Sequence, residues 1–454
     1  MEDTLKKIFD AVKAVAEDTV VNFSVRDDSH IKIFDGRSES LVGAHAETAM
    51  IFAAKGKRAL LTFLNEFSDS AIRSKAREIG SGLKNAPEKE DYYGIAENKG
   101  FRYPRREQNF DKKLWDSAGE RIGNAVDSAV SEAMAGNAEK VHGMLSLYKS
   151  REWLKTSGGV DTYDRGTAIR LSLRVLGADG LSSQSVEAAR HLSALDFKRV
   201  GKEAAQMLEL ASGRERIEGG LYEVLYLPLA SSNLLANIGE AASISSVESG
   251  FSFLKNRLGR KVGAVGVDLY DDPTIKDGFG SYSFDDEGVS SRRTTVIKNG
   301  TLMTYLHNTS TARKYKTKST GNAGLIEPQP SNIVFSYKKS YASLDKLIGS
   351  VDNGILVTNT WYTRFKNYET GEFSTVPRDV ALVIRNGGVE GAVKNVGRES
   401  LGVGIRISDS MEGVLKRIRG EGGARVQIVG WDESVPVFVK PFAVEKVRIT
   451  AAGD

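Results

Sequence analysis

The hydrophobic residues at the start of the chain recur first at helical spacing and then in alternation. Leu5, Ile8 and Val12 lie three or four residues apart, which predicts an amphipathic helix that packs on a sheet. Apolar and polar residues then alternate over residues 21–33, and the Asp-Gly pair at 35–36 can adopt the positive φ of a tight turn. We therefore expect a helix followed by a β-hairpin or meander.

Helical and strand patterns continue to alternate over the next part of the chain. A strand is predicted near residues 59–63, and a helix is predicted to begin at Ser68. A proline-free stretch places apolar residues in a helical row over 122–134, which predicts a long helical segment. Alternation over 169–175 predicts a half-buried strand, and Asp196 is expected to cap a further helix. These patterns are typical of a mixed α/β region.

The pattern changes near Gly219, where short β-rich segments separated by turn residues begin. The Asn-Gly pair at 299–300 predicts a hairpin between residues 294–297 and 302–306. Further strands are predicted at 354–358, 380–384, 424–429 and 435–439. We predict an α+β fold with an N-terminal α/β region over 1–215, which could divide into two subdomains (1–105 and 106–215), and a C-terminal domain of antiparallel strands over 216–454.

Composition and charge exclude several classes of function. With 27% charged and 40% hydrophobic residues, the chain resembles ordinary globular proteins, and no segment approaches the roughly 20 apolar residues of a membrane-spanning helix. We expect a cytoplasmic protein. The net charge of +4 comes from interleaved acidic and basic residues, so direct nucleic-acid binding is not expected. Because the chain has no cysteine, it cannot form disulfides, a thiol nucleophile or a thiolate zinc site.

Most catalytic motifs are absent from the chain. Its five histidines are scattered, and the sequence contains no H-E-x-x-H motif, phosphate-binding loop or G-x-S-x-G elbow. Acidic residues crowd the segment 268–287, where they could hold a hard cation or act as general acids and bases. The alternative, which we favour, is that they cap turns between strands. The segment 319–322 is either a glycine turn or a loop that presents polar groups to a peptide.

An ordered set of short segments closely resembles the core of the TldD/PmbA family. The segments are 271–273 (DDP), 283–288 (SFDDEG), 297–300 (IKNG), 311–313 (TAR), 319–323 (STGNA), 371–374 (GEFS), 384–388 (IRNGG) and, near the N-terminus, 33–37 (IFDGR). The match covers nearly the whole chain. The block at 271–323 is specific, because a chance match over so many ordered positions is implausible.

The resemblance implies a particular chemistry that this chain lacks. The TldD branch of the family is a zinc metallopeptidase with an H-E-x-x-x-H motif and a cysteine ligand. Ala236 and Ala241 stand at the two histidine positions here, and Asn237 stands at the position of the glutamate base. The resemblance therefore implies the PmbA/TldE branch, whose members pair with a TldD-type subunit. We expect no metal, no cofactor and no catalytic residue in this chain.

Several expectations follow for the site and the partners. By the resemblance, the chain would be a non-catalytic subunit in a heterodimer that degrades or matures unfolded or small peptides, and it could form a homodimer when alone. Candidate substrate-binding residues are Asp285, Asp286, Thr320 and Asn322. The alternative is an independent peptidase or hydrolase that uses the acidic cluster at 268–287 with a hard cation. A DNA-associated regulator, which echoes the family's older label as gyrase modulator, is a third possibility that the balanced charge disfavours.

Overall fold

Long antiparallel strands build the N-terminal part of the protein. A computed structural model describes residues 1–103, 106–116, 120–211, 213–361, 363–394, 404–430 and 435–451. The first strands are β1 (Asp18–Phe34), β2 (Arg37–Lys55), β3 (Arg58–Leu64), β4 (Ala138–Thr156), β5 (Asp161–Gly177) and β6 (Ser182–Ala189). They form one sheet in the order β3-β2-β1-β4-β5-β6, with every neighbouring pair antiparallel.

Helices cover one face of this sheet. They are α1 (Glu2–Lys13), α2 (Asp69–Asn85), α3 (Lys112–Asp116), α4 (Glu120–Ala133) and α5 (Phe197–Glu209), and 3-10 turns lie at Arg106–Asn109, Ala178–Gly180 and Leu192–Ala194. The predicted caps are confirmed, because Ser68 accepts the Ala71 N–H at 3.2 Å and Asp196 accepts the Arg199 N–H at 3.1 Å. Helices α1 and α2 pack at one end of the face, and α4 and α5 pack at the other.

The region after the predicted helical row differs most from expectation. The row forms α4, which ends at Ala133, and the nineteen-residue strand β4 follows. The sequence analysis did not predict β4, because its buried apolar residues Val141, Leu145, Leu147 and Leu154 are few for nineteen residues and lie among polar ones. The neighbouring strands β1 and β5 hydrogen-bond to both of its edges, so tertiary pairing decides its conformation.

Short strands and helices build the C-terminal part. The strands are β7 (Arg214–Glu215), β8 (Gly220–Tyr226), β9 (Val267–Asp271), β10 (Thr294–Lys298), β11 (Thr301–Leu302), β12 (Ile333–Tyr337), β13 (Ser340–Tyr341), β14 (Asn353–Val357), β15 (Arg364–Asn367), β16 (Glu372–Thr375), β17 (Ala381–Arg385), β18 (Gly388–Val393), β19 (Ile405–Ser410), β20 (Ile418–Gly422), β21 (Val426–Ile428), β22 (Val437–Val439) and β23 (Phe442–Ala451). The helices are α6 (Pro228–Ala241), α7 (Ile244–Glu248), α8 (Thr309–Lys314), α9 (Leu344–Ile348) and α10 (Met411–Lys416).

Two sheets organise these strands. One has the order β11-β10-β9-β12-β22-β21, and the other has β15-β16-β19-β23-β8-β14-β17-β18-β7, with β20 joining β13 to β23. Most pairs are antiparallel as predicted, whereas β8–β14, β12–β22, β7–β18 and β13–β20 are parallel. The hairpin at 299–300 is confirmed, with φ of 49° at Asn299 and 76° at Gly300. The α+β fold class is therefore confirmed.

The face of the N-terminal sheet opposite its helices packs on the C-terminal part. Val20 and Leu154 on this face share an apolar cluster with Phe284 and Leu325. The division of the chain at 215/216 remains a prediction, as does the split at 105/106, across which β1 and β4 are hydrogen-bonded in one sheet. Among the helices of the described residues, none is both long enough and apolar enough to cross a membrane.

Candidate functional site

Helix α6 lies in the centre of the C-terminal part. It contacts β8 in one sheet and β12, β21 and β22 in the other, and most of its residues are buried. A helix that is apolar on nearly all sides is typical of a core element. The packing is close, since a Cβ added at Gly239 would lie 2.6 Å from the Ile333 side chain. The helix therefore has little freedom to move relative to the sheets.

The three positions that the family resemblance assigns to the zinc motif, 236, 237 and 241, all lie on α6. Ala236 and Ala241 are 4% and 7% exposed and belong to the main apolar cluster of this part. Asn237 is half-buried, and its side-chain amide donates to the Asn233 carbonyl at 2.7 Å. Methyl groups and a locally satisfied amide supply no zinc ligand and no general base. The residues present therefore do not fit the metal that the family resemblance implies.

The 271–323 block is built around buried carboxylates. Asp271, at the end of β9, is completely buried and accepts hydrogen bonds from the Ser331 N–H at 2.6 Å, the Ser331 hydroxyl at 3.0 Å and the Asn322 amide at 2.5 Å. Burial raises the pKa of Asp271 to about 6, although these donors favour its charged form. A single carboxylate thus holds together segments that are about 60 residues apart in sequence.

Asp285 fixes the next loop of the block. Its two oxygens accept the backbone N–H groups of Glu287, Val289 and Ala323 at 3.1, 2.9 and 2.9 Å. Burial and the nearby Glu287 carboxylate raise the pKa of Asp285 to about 8, and burial raises the pKa of Glu287 to about 7. Glu287 accepts the Thr309 N–H at 3.2 Å and a hydrogen bond from the Thr309 side chain. The two buried carboxylates oppose each other's ionisation, so the pair holds a proton up to near-neutral pH.

Thr320 and Asn322 are also buried, and both form hydrogen bonds within the protein. Thr320 is 8% exposed, accepts the His307 N–H at 2.9 Å and donates to the His307 carbonyl at 3.1 Å. Asn322 is 2% exposed and donates to the Gln329 carbonyl at 3.1 Å besides Asp271. Burial lowers the pKa of His307 to about 4, so this imidazole is neutral at pH 7. Both candidate residues therefore support the loop that they occupy.

Asp286 is the exception among the four candidates, because it is only half-buried and points to the N-terminal sheet. The Asn22 amide, on β1, hydrogen-bonds both Asp286 and Glu152 on β4. Burial and the adjacent Asp285 raise the pKa of Asp286 to about 7. Burial and the Asp286 charge raise the pKa of Glu152 to about 7 as well. Carboxylates of both parts of the protein thus meet at this contact.

Two further acidic residues of the 268–287 segment, Asp268 and Asp272, cap turns, and a third, Asp277, contacts the His191 imidazole at 2.5 Å. Asp268 accepts the Asn299 N–H at 2.7 Å in the hairpin turn and lies 2.5 Å from the Lys298 ammonium. Asp272 accepts the Thr274 N–H at 3.0 Å and its hydroxyl at 2.6 Å. This geometry matches the turn interpretation. Within the ranges that the structure describes, no group of three or more His, Asp and Glu side chains is arranged to hold a metal ion.

The sequence patterns missed Asn22 and Glu152 as members of this cluster. Asn22 stands at a polar position of the alternating pattern over 21–33, so only its burial in the structure distinguishes it. A polar residue inside a buried strand needs a hydrogen-bonding partner. Glu152 could not be found either, since β4 itself was not predicted.

A cavity of about 680 Å³ lies at the β6 edge of the N-terminal sheet. The edge strands β6 and β21 line it, together with the first residues of α6. Gln427 spans its wall, because its side-chain amide donates to the Ala188 carbonyl at 2.8 Å and its side-chain oxygen accepts the Phe279 N–H at 2.5 Å. The Val380 N–H bonds the Ser182 carbonyl at 3.0 Å. The outer edge of β6 is thus closed at both ends by the protein itself.

Comparison with known proteins identifies the family. The model of the PmbA/TldA metallopeptidase central domain matches residues 106–211, and that of the PmbA/TldA metallopeptidase C-terminal domain matches residues 219–435. The chain therefore belongs to the PmbA/TldD family of metallopeptidase-like proteins.

Relatives from both branches of the family are similar to this chain. A metalloprotease TldD homolog of Buchnera aphidicola is 30% identical over 261 residues, which cover 56% of this chain and 52% of that protein. A metalloprotease PmbA homolog of the same organism is 32% identical over 159 residues, or 35% of this chain and 34% of that protein. The chain thus matches about half or less of the length of these relatives.

The fold extends over the whole of a solved structure. TldE from Thermococcus kodakarensis superposes with a TM-score of 0.84 over 99% of this chain and 100% of that one, at 18% sequence identity. At this level of identity the likeness shows a shared fold.

Proposed function

We propose that this chain is a non-catalytic, TldE-type subunit that pairs with a TldD-type zinc metallopeptidase in the cytoplasm. The complex would degrade or mature unfolded or small peptides. One observation carries the proposal: α6 keeps a central, buried place in the fold, yet Ala236, Asn237 and Ala241 supply neither ligand nor base. The chain thus retains the helix of the family fold but not the side chains that would bind zinc or act as the base.

The packing of α6 supports a role that does not depend on zinc. Ala236 and Ala241 are part of the apolar core, so water and a metal ion would have to displace packed side chains to reach them. No change of rotamer can create the missing ligands. A subunit that pairs with a partner of its own fold is the simplest role for such a chain, and a stable pair would bury on the order of 2,000 Å² or more in total.

The 271–323 block would form the peptide-facing side in this proposal. Three of its candidate residues, Asp285, Thr320 and Asn322, are buried and shape the loops. Asp286 is the least buried of the four, and although its carboxylate lies against Asn22 of the N-terminal sheet, it is the candidate for a direct contact with substrate. The family relationship and the density of polar groups in this block support the assignment.

Reconstitution tests the proposal directly. Purified chain is mixed with a TldD-type subunit, association is followed by analytical ultracentrifugation, and peptide cleavage is followed by mass spectrometry. We expect a stable complex whose peptidase activity exceeds that of the partner alone and disappears when a chelator removes the partner's zinc. Each subunit alone is the control.

Two results would overturn the proposal. One is chelator-insensitive cleavage by this chain alone, which would favour an independent hydrolase. The other is failure of the two subunits to associate at any concentration tested.

Asp286→Asn tests the substrate-facing role separately. We expect slower cleavage by the reconstituted complex with unchanged affinity between the subunits. Asp272→Asn is the matched control, because Asp272 only caps the turn at Thr274. Equal rates in the two variants would remove Asp286 from the proposed contact with peptide.

A further inference from the structure

The cavity at the β6 edge of the N-terminal sheet has an apolar floor. Its volume of about 680 Å³ lies within the range of cavities that hold small organic ligands. Three buried residues of the lining, Val186, Leu229 and Ile428, form an apolar cluster of their own, and Val426 packs against it. Protein interiors are closely packed, so apolar side chains that face an open space of this size indicate room for the apolar part of a ligand.

Two cations at the rim of this cavity are available to a ligand. Lys276 and Arg425 both line the cavity, and both are exposed. Within the part of the chain that the structure describes, neither side chain forms an ion pair or a hydrogen bond. An unpaired charge at the mouth of an apolar cavity can pair with an anionic group of a ligand without breaking an existing ion pair.

The acidic groups of the lining have donors of their own. Glu187 lies 2.5 Å from the Arg199 guanidinium, and Glu203 lies 3.0 Å from it. The Asp277 carboxylate contacts the His191 imidazole at 2.5 Å, and this histidine is not among the described residues of the lining. The two rim cations therefore have no carboxylate partner in the described lining, and the cavity favours an anion over a cation.

We propose that this cavity binds an amphipathic carboxylate, whose apolar chain lies on the floor and whose carboxylate pairs with Lys276 and Arg425. Guanidinium and ammonium groups form charge-assisted hydrogen bonds with a carboxylate. Burial of an apolar chain is favourable in proportion to its area, so the chain supplies most of the affinity and the two cations supply the preference for an anion. The site goes beyond the proposed partnership and does not depend on it, since every residue involved belongs to this chain.

Octanoate and 1-octanol are the probes, because they have the same number of carbon atoms and differ in the charge of the head group. Isothermal titration calorimetry of the chain alone near neutral pH measures both affinities. We expect octanoate to bind with a dissociation constant of about 0.1 mM and 1-octanol to bind at least about fivefold more weakly. Octanoate that shows no saturable binding up to about 5 mM would overturn the proposal, and so would equal affinities of the two probes.

The double variant Lys276→Gln/Arg425→Gln tests the rim. Both positions are exposed, so the changes should leave the fold intact. We expect the affinity for octanoate to fall at least about fivefold and that for 1-octanol to stay within about twofold, because only charge has been removed. Lys318→Gln/Lys366→Gln is the matched control, since these two exposed lysines do not line the cavity, and it should change neither affinity. An unchanged preference for octanoate in the first variant would overturn the role of the two cations.

Val426→Asp tests the floor, because it places a negative charge beside the proposed apolar chain. It should weaken octanoate binding at least about tenfold. Val265→Asp, at an exposed position outside the lining, is its control and should leave octanoate binding unchanged. Equal affinities in the two variants would place octanoate elsewhere and overturn the proposal. An uncharged, capped peptide that binds as tightly as octanoate and competes with it would assign the cavity to a peptide and overturn it as well.

Discussion

Helix α6 and the 271–323 block lie in the same part of the protein, but they relate to the family chemistry in opposite ways. By the family resemblance α6 carries the zinc-motif positions, and here these hold Ala236 and Ala241, which pack in the apolar core. The block keeps its carboxylates, and Asp271 and Asp285 are buried with N–H donors around them. Alanine at these positions leaves the helix packed, whereas loss of the carboxylates would leave buried donors without acceptors.

This difference teaches that polar residues in a family motif can be structural. Asp271 and Asp285 accept at least three hydrogen bonds each and link distant loops. Such residues would persist in a chain that performs no catalysis. The carboxylates of the block therefore indicate a shared fold and a shared loop structure. The residues at 236, 237 and 241 of α6 are the ones that bear on catalysis.

The largest effect is expected for Asp271→Ala. The change removes the acceptor for Ser331 and Asn322 in a completely buried site, and we expect a loss of about 3 kcal/mol in the free energy of unfolding, measured by urea denaturation. Asp272→Ala is the control next to it, with an expected loss of about 1 kcal/mol or less because only the turn at Thr274 depends on it. Equal losses in the two variants would contradict the structural role of Asp271.

A smaller effect is expected when a histidine is returned to α6. Ala236→His forces an imidazole into packed core and should lower the free energy of unfolding by about 1–3 kcal/mol. Glu240→His, at an exposed position of the same helix, should change it by about 0.5 kcal/mol or less. If Ala236→His lowered the free energy of unfolding no more than Glu240→His, the core around Ala236 would have room for an imidazole. The contrast between a packed α6 and the polar block would then be wrong.

The pH dependence of stability should report the carboxylates at the contact between the two parts. Folded-state pKa values of about 7 for Glu152, Asp286 and Glu287 and about 8 for Asp285 lie above the unfolded values near 4. The folded chain then binds more protons between about pH 4 and pH 8, so the free energy of unfolding falls as pH rises through this window. The stabilisation is complete below about pH 4 and is lost as the pH passes about 7–8.

Glu152→Gln sharpens this test, because the glutamine oxygen can still accept the Asn22 hydrogen bond. The variant should be more stable than the parent at pH 8 by on the order of 1 kcal/mol and should show a shallower pH dependence in urea titrations from pH 5 to about pH 8. An unchanged slope would show that Glu152 is already ionised at low pH.

The smallest effect is expected for Asn237→Ala. The Asn237 amide bonds only Asn233, one turn earlier on α6, so its removal should alter the free energy of unfolding by less than about 1 kcal/mol. Activity of the reconstituted complex should not change, since the proposal gives Asn237 no catalytic role. A large loss of activity in Asn237→Ala would show that the position has a function without zinc.

Local sequence alone determined the features that depend on neighbours in the chain. The caps at Ser68 and Asp196, the hairpin turns at 35–36 and 299–300, and a minority of the described C-terminal strands, such as β14 and β17, follow from side chains within a few residues of each other. The residue types at 236 and 241 and the absence of cysteine were also readable from the sequence, because they do not depend on conformation.

Tertiary structure decided the rest, because it depends on pairing and desolvation between distant segments. β4 is a strand because β1 and β5 flank it, and that pairing brings Glu152 beside Asn22 and Asp286. Burial at this contact raises the carboxylate pKa values, which no sequence pattern encodes. The cavity at the β6 edge lies between strands of two different sheets, β6 and β21, so only the assembled fold shows which side chains line it.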